Sequence, residues 1–133
     1  MSRSLIQTAN QSVQNVALNS IISLGSVQRR FGCNCRLSGN AIELSGEGYF
    51  TVTAAITATP TAAGNVTVVL YENGVPVPGA IATGSVATGN STTIPVVTTI
   101  RRTCCSVDAS NLTFVLTAGE GVVDNISVRV EKA

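Results

Sequence analysis

The clearest pattern in the sequence is a two-residue alternation of side chains between Gly48 and Pro60. One set of alternate positions is apolar and consists of Phe50, Val52, Ala54, Ile56 and Ala58. The positions between them are rich in threonine and consist of Tyr49, Thr51, Thr53, Ala55 and Thr57. Successive side chains of a strand point to opposite faces of a sheet. The segment is therefore predicted to be a half-buried strand with a threonine-rich outer side.

Similar segments lie on both sides of this strand. Val66, Val68 and Leu70 alternate with Thr67, Val69 and Tyr71, which predicts a strand that is apolar and covered on both faces. Further strands are predicted over residues 19–27, 41–44, 80–87, 91–103, 112–118 and 125–131. Residues 5–18 have an approximate helical stripe, but glutamine, asparagine and serine dominate the rest, so extended structure is favoured there.

Turn residues separate these segments. Asn73-Gly74 predicts a tight turn because both residues tolerate positive φ. The prolines of Val75-Pro76-Val77-Pro78-Gly79 cannot donate to a ladder, which places this stretch at an edge or in a loop. About eight to ten short strands at near-regular spacing indicate an all-β, antiparallel sandwich or barrel. A single domain is expected over residues 1–133, with residues 1–15 as a candidate loosely ordered or extended N-terminal arm.

Composition narrows the function classes. The chain has 133 residues, 44% hydrophobic and 11% charged, whereas an ordinary soluble domain has about 25% charged residues. This balance excludes intrinsic disorder. The net charge of +1 creates no field that would recruit nucleic acid or an anionic membrane. The absence of histidine excludes His-dependent catalytic triads and zinc sites, so no enzyme, catalytic residue or cofactor is expected.

Neither a signal peptide nor a membrane-spanning segment is expected in this chain. Residues 1–10 lack the continuous apolar core of a signal peptide, and the apolar runs are too short to insert into a membrane. We therefore expect a protein made in the cytoplasm, with no membrane insertion.

Three sequence pieces together resemble a known family. They are Gly48-Tyr49-Phe50-Thr51-Val52-Thr53, Asn73-Gly74-Val75-Pro76-Val77-Pro78-Gly79 and the closing Val128-Arg129-Val130-Glu131-Lys132. In this order they resemble the C-terminal globular domain of the Bacillus exosporium collagen-like glycoprotein. That domain is one of the jelly rolls shared by tumour necrosis factor and the heads of the complement q subcomponent. The resemblance implies a two-sheet jelly roll that forms a homotrimer for surface display and recognition, without catalysis.

Self-association is expected on physical grounds as well. The chain carries few charges, and the outward side chains of residues 66–71 would leave apolar surface in water unless a neighbouring copy covered it. The predicted trimer interface comprises Tyr49, Val69 and Tyr71. Coverage of Val69 and Tyr71 by a loop of the same chain is the alternative. We expect a structural module on a spore surface or phage-like particle, able to assemble further. The second candidate is an adhesin-like head that binds a protein or glycan through residues 75–90 and 103–111.

The unusual chemistry of the chain is a group of four cysteines, Cys33, Cys35, Cys104 and Cys105. In an extended segment Cys33 and Cys35 would point to the same side. A disulfide within either pair is disfavoured by geometry, so any bridge is expected to join one pair to the other. Three interpretations remain open, namely free thiols, disulfides within or between subunits, and a metal site, although the spacings are not those of zinc knuckles.

Five of the eight cations flank these cysteines, namely Arg29, Arg30, Arg36, Arg101 and Arg102. Such a surface patch could stabilise thiolates or bind an anion. The simpler interpretation is solubility and salt bridging on an otherwise apolar surface.

Overall fold

The fold was derived from a computed structural model, which describes residues 4–62, 64–87, 90–102 and 109–132. It contains twelve strands: β1 (Ser4–Asn10), β2 (Gln14–Val16), β3 (Ser20–Ile21), β4 (Ser26–Phe31), β5 (Cys35–Ser38), β6 (Ala41–Leu44), β7 (Gly48–Pro60), β8 (Gly64–Glu72), β9 (Val75–Val86), β10 (Thr92–Arg102), β11 (Ser110–Ala118) and β12 (Gly121–Lys132). Within the described residues no helix is long and apolar enough to cross a membrane.

The strands form a sandwich of two antiparallel sheets with six strands each. Sheet I has the order β10-β7-β12-β1-β4, with β2 beside β12. Sheet II has the order β5-β6-β11-β8-β9, with β3 beside β11. This architecture confirms the predicted all-β, two-sheet jelly roll. The strand count exceeds the expected eight to ten because β2 and β3, of three and two residues, are also hydrogen-bonded to the sheets.

The core lies between the sheets and follows the predicted alternation. The apolar set of β7 is buried, and its members face the alternating residues Val66, Val68 and Leu70 of β8. Phe50 and Phe114 are the largest fully buried side chains. In β12 the alternating apolar residues Ile126, Val128 and Val130 are likewise buried. The two-residue period therefore identifies which residues lie in the core and which lie on the outer faces of the two sheets.

The region predicted as one strand over residues 19–27 is divided. Asn19 has φ of 62° and Gly25 has φ of +78°, and this left-handed backbone interrupts an extended chain. The chain consequently crosses from one sheet to the other, and the strand resumes as β4 at the edge of sheet I. The correction follows from turn chemistry at these two positions, which periodicity alone does not detect.

The proline-rich stretch after the tight turn forms the first part of β9, the edge strand of sheet II, as the sequence predicted. Asn73 and Gly74 have φ of 53° and 81°, which confirms the predicted turn. Pro76 pairs with Tyr71 of β8. Because β9 is the edge strand of the sheet, its outer side needs no backbone N–H donor, and a proline is tolerated there.

Residues 4–10, within the expected N-terminal arm, form β1. This strand is hydrogen-bonded to β12 on one side and to β4 on the other. Ile6 is completely buried in the core. Thr8 is buried on the same side, and among the described residues its Oγ1 is a buried side-chain oxygen without a hydrogen-bond partner.

Candidate self-association surface

The outer face of sheet I is broad, and two neighbouring rows of it are made of small side chains. One row of paired residues crosses all five long strands and consists of Ser26, Ala9, Ser127, Ala55 and Pro95. A neighbouring row continues the face with Asn125, Thr57 and Thr93. Side chains this short leave the sheet flat, and alanine and serine lose little rotamer entropy when covered. The face can therefore approach another flat surface closely.

Exposed apolar side chains border this flat area. Val97 pairs with Thr53 and is 64% exposed, while Tyr49 is 53% exposed on the same face. Phe31, at the opposite edge of sheet I, is 64% exposed beside Leu5. The guanidinium of Arg101 lies 5.7 Å from the centroid of the Tyr49 ring. A neighbouring protein surface would remove these side chains from water, which is favourable in proportion to the apolar area covered.

The central strand β12 places two charged side chains, Arg129 and Glu131, on this face. Arg129 forms an ion pair with Glu131 at 2.6 Å, so these two charges neutralise each other. Arg29 lies on the edge strand β4, in the same row as Val97 on the other edge strand. The middle of the face can consequently be covered without removing unpaired charges from water.

The three residues of the predicted trimer interface lie on two different sheets. Tyr49 belongs to the outer face of sheet I, whereas Val69 and Tyr71 belong to the outer face of sheet II. Val69 is only 6% exposed and has Val115 and Ile81 as its cross-strand neighbours. Tyr49 therefore has the larger area available for a partner. The assignment of these three residues to an interface stays a prediction.

The five arginines expected to form a cationic patch have separate surroundings. Arg36 pairs with Glu43 at 3.1 Å, and Arg30 Nε donates to the carbonyl oxygen of Cys35 at 2.8 Å. Arg29 and Arg101 lie on opposite edges of sheet I. Four inter-strand spacings correspond to about 19 Å, so one small anion would not span those two side chains.

Arg102 is buried and makes hydrogen bonds within the protein. Its Nε donates to the carbonyl oxygen of Gly46 at 2.7 Å, and its Nη1 donates to Ser110 Oγ. The neighbouring Asn34 accepts from Ser4 Oγ at 2.9 Å and donates from Nδ2 to the carbonyl oxygen of Ser45 at 2.8 Å. We call this part of the sandwich the arginine end. Sequence reasoning missed the role of Asn34, because polar loop residues give no local signal of such contacts.

The cysteines that the structure describes differ from each other. Gly32 has φ of 80°, so the chain turns before β5, and Cys33 is exposed while Cys35 is buried. The prediction that both point to the same side required an unbroken extended segment, and the bend at residues 32–34 means that this condition is not met. Both are free thiols. Burial raises the pKa of the Cys35 thiol to about 11, against the opposing effect of Arg30 and Lys132.

The expected four-cysteine cluster is only half covered by the structure, because Cys104 and Cys105 lie outside the described residues. Among the residues described, no group of three or more potential ligands is placed to hold a metal ion. Cys35 is protonated at neutral pH and is therefore a poor nucleophile and a poor metal ligand. For this residue the environment is that of a buried thiol packed as a small hydrophobic side chain.

The two regions expected to hold a ligand are only partly described. Residues 75–86 form the edge strand β9, and most of 103–111 lies outside the described residues. A shallow cleft of about 420 Å³ lies instead where β1 ends and β4 begins, lined by Ala9, Asn10, Gln11, Ser12, Gly25, Ser26 and Gln28. Its polar groups are neutral amides and hydroxyls, which suit hydrogen bonding to an uncharged molecule.

Comparisons with known proteins agree with this architecture. No model of a known protein family matches the sequence, and no curated protein matches it. Among solved structures, murine APRIL covers 99% of this chain and 100% of its own, with a TM-score of 0.76 and 8% identity. The globular domain of zebrafish complement 1qA covers 96% and 94%, with a TM-score of 0.71 and 6% identity.

PRD1 vertex protein P5 is also similar, covering 97% of this chain and 95% of its own, with a TM-score of 0.66 and 12% identity. Identities this low establish the fold alone. The jelly roll implied by the sequence resemblance is thus confirmed at the level of fold. The chain has the tumour-necrosis-factor-like, complement-q-like jelly-roll fold.

Proposed function

We propose that the chain is a non-enzymatic structural module that forms a homotrimer through the outer face of sheet I. The stoichiometry of three follows the expectation from the jelly-roll resemblance. The observation that carries the proposal is the pair of small-residue rows on this face, together with the exposed apolar side chains of Val97 and Tyr49. Three outward rows of β7, those of Thr51, Thr53 and Ala55, cross all five strands, and the other three are narrower. The enclosing rectangle of about 19 by 34 Å gives an upper bound of about 650 Å² for the face. This approaches the roughly 800 Å² per partner of a stable interface.

The experiment measures mass in solution. The wild-type chain is expected at three times its single-chain mass of 13.6 kDa by light scattering. Val97→Arg places a charge in the face and is expected to give monomers with an unchanged β-sheet spectrum. Val13→Arg is the matched control, because Val13 is a similarly exposed valine in the loop after β1. A monomeric wild type, or a trimeric Val97→Arg variant, would contradict the proposal.

We further propose that the trimer is displayed on a spore surface or a phage-like particle. The likeness in fold to a protein named for its vertex position supports a particle surface. Immunogold labelling of spores and particles from the source cells tests this placement. Label on the particle surface is expected, and label confined to the cytoplasm would reject it.

A recognition head for a glycan is the second candidate, and the neutral cleft between β1 and β4 favours it. Sugar hydroxyls pair well with amide and hydroxyl groups. A glycan array probed with the wild type and with Gln28→Ala provides the test. Binding that Gln28→Ala weakens supports this candidate, whereas binding to no glycan rejects it.

A further inference from the structure

A row of aliphatic side chains crosses the outer face of sheet II. Ile21 on β3 pairs with Val115 on β11, Val115 pairs with Val69 on β8, and Val69 pairs with Ile81 on β9. We call these four residues the aliphatic row. The isoleucines at its ends are 48% and 59% exposed, while the two valines between them are almost covered. The row therefore has two raised ends and a lower middle.

The surroundings of the aliphatic row are uncharged. Tyr71, Thr113 and Pro76 lie beside it in one direction along the strands, and Thr67 and Thr83 lie beside it in the other. The hydroxyls of Thr67 and Thr83 are 3.0 Å apart and bond to each other. On the same sheet, Arg36 and Glu43 form a pair on β5 and β6 and neutralise each other. A charged partner would find no complementary group among these neighbours.

The proposed trimer cannot cover this row. In a closed ring every copy turns the same face towards the axis. The outer faces of two stacked sheets point in opposite directions. If sheet I faces the axis, then sheet II faces away from it, and Ile21 and Ile81 remain in water.

We propose that the aliphatic row is a second self-association site, at which sheet II of one trimer packs back to back on sheet II of a neighbouring trimer. The inference rests on the proposed homotrimer. A second copy fits because the profile of the row is self-complementary about a two-fold axis. With an offset of one strand, Ile81 of each copy lies over Val115 of the other.

The small area of the aliphatic row limits the strength of this contact. With the offset of one strand, two inter-strand spacings by two row spacings give about 10 by 14 Å, or about 140 Å², roughly a sixth of what a stable interface needs per partner. A single contact is therefore weak. Each trimer presents three such rows pointing outwards, so three neighbours can hold it together in a flat net. Trimers are expected at low concentration, with larger assemblies at high concentration.

The test compares Ile81→Glu with the matched control Val13→Glu, which makes the same kind of change at an exposed aliphatic residue outside both faces. Sedimentation velocity over a concentration series and negative-stain microscopy give the readouts. Wild type and Val13→Glu are expected to form species larger than trimers, whereas Ile81→Glu stops at the trimer. A wild type that stays trimeric up to its solubility limit, or an Ile81→Glu variant that assembles like wild type, would overturn the inference.

The same experiment separates this inference from the proposed trimer. Val97→Arg removes the trimer and leaves the aliphatic row intact. If the wild type never trimerises but forms dimers that Ile81→Glu abolishes, the proposed trimer is wrong and the row contact is right. If trimers form and no larger species depends on Ile81, the trimer stands and the row contact is wrong.

Discussion

The two ends of the sandwich are closed by different means. At the arginine end, side chains connect the loops: Arg102 donates to Gly46 and Ser110, and Asn34 bonds to Ser4 and Ser45. We call the opposite end the glycine end. Gly25, Gly119 and Gly121 lie there, and because glycine has no β-carbon they can lie close to neighbouring parts of the chain. There a β-carbon at Gly119 would lie 2.7 Å from the carbonyl oxygen of Asn65, and one at Gly121 would lie 2.6 Å from that of Thr59.

This difference determines how a substitution destabilises each end. Removing a side chain at the arginine end leaves buried polar atoms without partners, and water can replace part of what is lost. Adding a side chain at the glycine end forces overlap with backbone, which water cannot relieve. We therefore expect the glycine end to tolerate substitution less well.

The largest effect is expected for Gly25→Ala. A β-carbon there would overlap the carbonyl oxygen of Ala9 and lie 2.7 Å from Asn10 Cβ, and φ is +78°. Left-handed backbone costs alanine about 1–2 kcal/mol, and overpacking adds about 1–3 kcal/mol. The free energy of unfolding should fall by about 3 kcal/mol in urea denaturation. Gly79→Ala is the control, because φ is +81° and nothing lies within 4 Å. Equal losses in the two variants would show that the close approach does not matter.

A somewhat smaller loss is expected for Arg102→Met at the arginine end. Methionine fills a similar volume but leaves Gly46 O and Ser110 Oγ without this donor, at a cost of about 2–3 kcal/mol. The adjacent Arg101→Met is the control, since Arg101 is exposed and only its contact with Tyr49 is lost, worth about 0.5–1 kcal/mol. Urea denaturation of both variants measures the difference. If Arg101→Met is as destabilising as Arg102→Met, the network does not close this end.

The two ends also show which features of the structure could be predicted from the sequence and which could not. The period of two is a local property, so it predicted which side chains of β7 face inwards and which face outwards. Tyr49 was found in the same way. Burial of Arg102 depends on Gly46, which is 56 residues away. Local patterns do not encode which loop reaches which strand end, and the arginines were therefore interpreted as surface groups.

Between the two ends, Thr8 offers a test in which stability should rise. Its buried Oγ1 lacks a partner in the described part of the chain. Thr8→Val keeps the shape and removes an unsatisfied hydroxyl, so unfolding should require about 1 kcal/mol more. Thr61→Val, at an exposed position after β7 whose hydroxyl makes a solvent-exposed hydrogen bond, is the control and should change stability by less than about 0.5 kcal/mol. A loss of stability in Thr8→Val would indicate that the hydroxyl is bonded in solution.

The smallest effect at neutral pH concerns the cysteines of the arginine end. Iodoacetamide at pH 8 should alkylate Cys33 and spare Cys35, because Cys33 is exposed and the pKa of Cys35 is about 11. Peptide mass spectrometry after digestion distinguishes the two sites. Equal labelling rates in the folded protein would show that the arginine end opens readily to solvent.

The raised pKa of Cys35 also predicts the direction of a pH effect. The folded state holds the thiol proton more tightly than the unfolded state, whose thiol titrates near its ordinary value of 9.0. The resulting stabilisation is complete below pH 9 and is lost as pH rises towards about 11. Cys35→Ala removes this dependence while other groups still titrate. The free energy of unfolding of the wild type should therefore fall more steeply than that of Cys35→Ala between these two pH values, and parallel curves would contradict a buried, neutral thiol.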